Sequence, residues 1–166
     1  MLSAYAVRRL SEASKITDKE FARRYRVRRF PLVGVAPDVW TRDEWHELFD
    51  MGAGRGDELP MLKVCNQIIH SWILTFSEPE PVEGVNDGIY FDGIYVCSDK
   101  ARSSHLYFIP LAVLIDLFRS IGNDEVNSIT MRRDEQGVAY WGEIKNVTRA
   151  EVLESDPDAF WSPTQP

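Results

Sequence analysis

One pattern occurs at three places along the chain: an apolar residue, a threonine, two intervening residues, a glutamate and a second apolar residue. It appears as Ile16-Thr17-Asp18-Lys19-Glu20-Phe21, as Trp40-Thr41-Arg42-Asp43-Glu44-Trp45 and as Val147-Thr148-Arg149-Ala150-Glu151-Val152. In such a capping box the threonine hydroxyl accepts from the glutamate amide, while the glutamate side chain reaches back to the threonine amide; the flanking apolar pair staples the entry. The pattern predicts helices near 18–26, 42–50 and 149–154. Gly52 would stop the second in a left-handed conformation, and Pro157 requires the third to end before it.

Two further helices follow from period. Leu62, Cys65, Ile68, Ile69 and Trp72 recur at helical spacing, with Lys63, Asn66, Gln67 and His70 on the other side and Pro60 suited to the first turn after Asp57 and Glu58. Leu111, Leu114, Leu117, Phe118 and Ile121 form an apolar stripe opened by Pro110 and closed by Gly122. Residues 4–10 suit a short additional helix. Runs rich in β-branched and aromatic residues predict strands at 73–77, 89–97, 105–109, 128–133 and 138–144. Asp134-Glu135-Gln136-Gly137 reads as a four-residue hairpin loop, and Asp92-Gly93 as a turn or a bulge. Short links between consecutive strands favour antiparallel pairing. The expected fold is therefore α+β: a single domain over 1–166, with a mostly antiparallel sheet of about five strands and about five helices. Within it, 1–30 is expected to be a basic helical segment and 157–166 a tail that Phe160 and Trp161 could anchor.

Composition narrows the setting. No apolar run approaches the roughly 20 residues that span a bilayer, and the first ten residues do not read as a signal peptide. Cys65 and Cys97 stand alone, as expected in a reducing compartment, so a cytoplasmic protein without membrane contact is expected. Charge is uneven: residues 1–30 carry nine Lys/Arg against three Asp/Glu, a net +6, and the remainder carries −13, for −7 in all. Such a body repels nucleic acid at long range and attracts basic partners.

Candidate chemistry is sparse. Asn66 and His70 lie four apart on one helix face. The run Cys65-Asn66-Gln67-Ile68-Ile69-His70 loosely resembles the Arg-Asn-x-x-x-His motif of HEPN-type ribonucleases. The resemblance implies a basic residue and a histidine that polarise a phosphate and move protons, on an all-helical fold. It covers six residues, with Cys65 where that family has arginine, and the strands expected downstream depart from that fold. His46, His70, His105, Cys65 and Cys97 lack metal-ligand spacing, so no metal or cofactor is expected. The stretch 51–57 is glycine-rich but lacks the Gly-Lys-Ser/Thr ending of a phosphate loop, and reads as a mobile connection. The link 98–105 holds Ser98, Asp99 and His105 without a nucleophile elbow or a triad order.

Two functions from different classes follow. The first, preferred because no catalytic cluster is legible, is a non-enzymatic acidic protein that holds a basic protein partner, in the manner of immunity proteins, antitoxins and phage-encoded inhibitors, which share this composition. Its contacts would be Glu78, Glu80, Glu83, Asp87 and Asp92 with nearby aromatics. The second is a metal-independent ribonuclease or RNA-binding protein. If residues 23–29 are extended, Arg24, Arg26 and Arg28 form a ridge opposite Tyr25 and Val27 that could meet nucleic acid, aided by Asn66 and His70.

Overall fold

The computed structural model describes residues 1–77 and 91–155. Its elements are α1 (Leu2–Glu12), α2 (Asp18–Phe21), β1 (Arg24–Pro31), α3 (Trp45–Leu48), β2 (Arg55–Pro60), α4 (Met61–Ile69) and β3 (Ser71–Ser77), followed by β4 (Gly93–Ser98), β5 (His105–Pro110), α5 (Leu111–Gly122), β6 (Ser128–Arg133), β7 (Ala139–Lys145) and α6 (Arg149–Ser155). The class is α+β, as the strand pattern predicts. Five antiparallel strands form one sheet in the order β2-β1-β5-β4-β3, and β6 pairs with β7 alone.

Alternation along the strands sorts side chains to two cores. On one face Tyr25, Val27, Leu59, Val96, Tyr107 and Ile109 pack under α1, α4 and α5, which contribute Ala4, Val7, Met61, Val64, Cys65, Leu117 and Ile121 among others. On the other face Phe30, Ile73, Cys97 and Leu106 are covered by Leu32, Trp45, Leu48, Phe49 and Met51. Cys65 and Cys97 thus belong to opposite faces of the sheet and are not bonded to each other.

The sheet differs from the expected one at its edge. The helix expected over 18–26 stops at Phe21, and the chain turns into β1 at Arg24, so the first thirty residues are not wholly helical. Alternation of Tyr25 and Val27 with arginines wins over helical continuation because it buries both apolar side chains against α5 and α4. The glycine-rich stretch is a short 3-10 turn at Met51–Ala53 followed by β2, so Asp57 and Glu58 lie in a strand opposite Val27 and Arg26 rather than at a helix start. The five-stranded sheet therefore contains β1 and β2, while the expected strands at 128–144 form the separate hairpin.

The three capping boxes have three outcomes. At Thr148 the box closes: the Thr148 amide donates to Glu151 Oε2 at 2.6 Å, and the Glu151 amide to Thr148 Oγ1 at 3.3 Å. At Thr17 the hydroxyl accepts weakly from the Glu20 amide, at 3.4 Å, but Asp124 takes the reciprocal place. At Thr41 no cap forms; Asp38 Oδ1 accepts from the amides of Trp40 and Thr41 at 2.8 and 3.0 Å, and only a 3-10 turn and the four-residue α3 follow. Gly52 is not left-handed; Asp50 Oδ1 instead caps the turn through the amides of Gly52 and Ala53. Gly137 takes the expected positive φ, +81°, in the 134–137 loop. Gly93 begins β4 where a Cβ would stand 2.5 Å from the Ile109 carbonyl oxygen, so the strands meet there only with glycine.

Candidate phosphate-binding site

A cavity of about 620 Å³ is lined by Arg8, Lys63, Asn66, Gln67, His70, Ser98, Asp99, Lys100, Ala101 and His105. Four segments build it: α1, the polar side of α4, the link after β4 and the first residue of β5. Two backbone-anchored contacts hold these segments together. The buried Gln67 carboxamide oxygen accepts from the Ser98 amide at 2.9 Å, and the His70 carbonyl oxygen accepts from the Asp99 amide at 3.1 Å. The link itself is wound by donations from Ala101 and Arg102 to the Ser98 carbonyl, and from Ser104 and His105 to that of Ala101. Arg102 braces it from outside, stacking over Trp72 at 4.6 Å, donating to the Pro37 carbonyl and pairing with Asp99 at 3.1 Å.

Arg8 reaches in from α1, with its Nη1 3.3 Å from His70 Nε2. A guanidinium has only donors, so Nε2 accepts and the His70 proton resides on Nδ1. An arginine absent from position 65 thus reaches His70 from another helix. Arg8 and Arg9 share Glu12, at 3.1 and 2.6 Å, and their hydrogen bonds hold the Glu12 carboxyl below the usual range.

His105 is defined equally well. Ser104 Oγ donates to the Ala101 carbonyl at 3.1 Å, so it can only accept from His105 Nδ1, 2.7 Å away. The proton is therefore on Nδ1, and Nε2 presents a lone pair. Burial, then the positive charges of Arg29 and Lys63, pushes the imidazole pKa down, which keeps it neutral at pH 7. Both His105 Nε2 and Asn66 Oδ1 are buried acceptors with no partner among the described residues, an arrangement that costs about 1–3 kcal/mol each unless a donor arrives.

The cavity wall carries Arg8, Lys63 and Lys100 against Asp99, whose charge Arg102 already offsets. Lys63 and Lys100 have no ion pair among the described residues. In a chain of net charge −7 this is a concave cationic surface, and concavity focuses its field on an incoming anion. Among the described residues no three His, Cys, Asp or Glu side chains gather as a metal site. Burial raises the Cys65 and Cys97 thiols to about 11 and about 12, so neither is a thiolate nucleophile at neutral pH.

Of the residues singled out by sequence, Asn66, His70 and the 98–105 link converge here, together with Lys63. Arg8 was not legible as a partner, since nothing in α1 marks it for His70. The arginine ridge lies elsewhere, on β1, the strand next to the edge strand β2. Arg24 and Arg26 stand 3.9 and 3.6 Å from Glu58, across the strand pair, and Arg28 lies over the Phe30 ring at 5.4 Å. Asp92 is exposed just before β4, and Glu78, Glu80, Glu83, Asp87 and the tail at 157–166 lie outside the described residues. The α+β fold is unlike the all-helical one that the motif at Asn66 and His70 implies. No family model matches the chain, and neither a curated protein nor a solved structure is significantly similar to it.

Proposed function

We propose that this chain binds a phosphate-bearing ligand in the cavity between α1, α4 and the 98–105 link. The observation that carries the reading is the convergence of Arg8, Lys63 and Lys100 with two imidazoles around one concavity in an otherwise acidic protein. A phosphate would receive the guanidinium N–H groups of Arg8 that Glu12 and His70 leave free, and the two ammonium groups as point charges. Of the two functions expected from sequence, this develops the second but moves its centre from the arginine ridge to the cavity. At the ridge Arg24 and Arg26 both face Glu58, whereas at the cavity Lys63 and Lys100 have no ion pair among the described residues. Two free, buried cysteines support a cytoplasmic setting, and no helix among the described residues is long and apolar enough to cross a membrane.

The test is calorimetric titration with uridine 5′-monophosphate, repeated with Arg8→Ala and Lys63→Ala. Each substitution should weaken binding by about tenfold, the worth of a charge-assisted hydrogen bond. Absence of binding at millimolar ligand, or indifference to both substitutions, overturns the reading.

A second reading, a protein that holds a basic partner, draws support from the β6–β7 hairpin. Its Met131, Tyr140 and Trp141 are exposed, and aromatic and methionine side chains are enriched where proteins meet. Salt-sensitive capture of a basic protein that is lost in Trp141→Ser would favour this reading; capture that Trp141→Ser leaves intact would count against the hairpin.

A further inference from the structure

Resting on the phosphate-binding reading above, we infer that the cavities on either side of His105 are consecutive phosphate subsites, and that the ligand spanning them is a strand of RNA. The second cavity, of about 330 Å³, is lined by Arg29, Pro31, Ala53, Arg55, Ser104 and His105. His105 is the wall common to both.

The second cavity holds an unfavourable charge pair. Arg29 and Arg55 are directly opposed across β1 and β2, so their side chains leave the same face of the sheet, where like charges repel. Asp57 lies 4.0 Å from Arg29 and offsets one charge of the two. Arg55 has no ion pair among the described residues. A phosphate seated between the guanidiniums turns this repulsion into two attractions.

Cations on both sides of one imidazole suit a ligand with two phosphates. Two lining residues, His105 and Asn66, also hold acceptors that lack donors, Nε2 and Oδ1, each almost wholly covered beneath the cavity surface. The Ser104 contact fixes the proton on Nδ1, and the lowered pKa keeps the ring neutral, so Nε2 can meet only a donor. A ligand that fits both features has hydroxyl groups placed between its phosphates. RNA has one, the 2′-hydroxyl, beside every phosphodiester; DNA and inorganic polyphosphate have none there.

The experiment compares uridine 5′-monophosphate, a short oligouridylate, the matching oligodeoxyuridylate and inorganic polyphosphate on the intact chain. The oligouridylate should bind about tenfold more tightly than the monophosphate, as one added charge-assisted contact provides, and more tightly than the other two polyanions. Arg55→Ala should lower oligouridylate affinity and reduce the log–log salt slope by about one. Its unfolding midpoint should hold or rise, because a like-charge pair is removed, which separates a lost subsite from a lost fold. Equal affinity for monophosphate and oligouridylate eliminates the second subsite and leaves the first cavity's role standing. Polyphosphate or DNA binding as tightly as RNA eliminates the RNA assignment. Binding of none of the four eliminates both.

Discussion

Asp124 closes the amino end of α2 from 107 residues away: its two carboxylate oxygens accept from the Thr17 amide at 2.7 Å and the Thr17 hydroxyl at 3.0 Å. It thereby ties the end of α5 to the turn that launches β1. Glu20, which local spacing makes the partner of Thr17, points to Arg23 instead, at 3.4 Å. Asp124→Ala should therefore cost about 1–2 kcal/mol, as for loss of a helix cap, and Glu20→Ala clearly less. Urea unfolding of the two variants measures this, and equal losses would contradict it.

Gln67 couples stability to the cavity. Its buried carboxamide oxygen is the acceptor for the Ser98 amide. Gln67→Leu fills similar space but leaves that amide unsatisfied, which should cost about 1–3 kcal/mol. The wall from Ser98 to Ala101 should loosen with it, so amide exchange there should accelerate and monophosphate affinity should fall. Unchanged exchange at Ser98 and Asp99 would show that another contact holds the link.

The lowered pKa of His105 sets a direction for stability against pH. Between the ordinary histidine value of 6.5 and the lower value in the fold, the unfolded chain binds the proton and the folded chain does not. Unfolding free energy therefore falls as pH drops through that window and levels off below it, while above 6.5 the contribution is complete. Chemical denaturation from neutral to mildly acidic pH should show a shallower acid-side loss in His105→Gln than in the unaltered chain. Parallel profiles would mean that the imidazole is not held neutral by its surroundings.

Arg24 and Arg26, exposed on β1, meet Glu58 of the edge strand β2. Exposed ion pairs contribute little, so Arg26→Ala should change unfolding free energy by no more than about 0.5 kcal/mol. Its effect on monophosphate affinity should also be smaller than that of Arg8→Ala. The reverse ranking would return the ligand site to the ridge.

Local chemistry was enough to place much of the fold. The apolar stripe of α5, that of α4 as far as Ile69, the Thr148 box and the 134–137 loop each depend on residues a few positions apart and appear at those places, whereas Trp72, expected to end the α4 stripe, lies in β3, and Gln67, expected on the polar side, is buried. The β1–β2 pair was not legible this way. What makes a strand of 55–60 is the pairing of Glu58 and Asp57 with Arg26 and Val27, some thirty residues earlier; read alone, those acids suit a helix start equally well. The Thr17 box diverges for a related reason, since its acceptor Asp124 lies 107 residues away, whereas the Thr41 box loses to a local competitor, Asp38, three residues before it.

Sequence alone determined the α+β class, most of the helices and the pairing of Asn66 with His70 on one face, because these follow from period and from short-range hydrogen bonding. Tertiary structure alone decided that Arg8 meets His70, that Ser104 orients His105, and that Arg29 opposes Arg55. Each of those relationships joins side chains whose approach depends on strand register and helix docking, and a linear pattern carries no information about either until the core has packed.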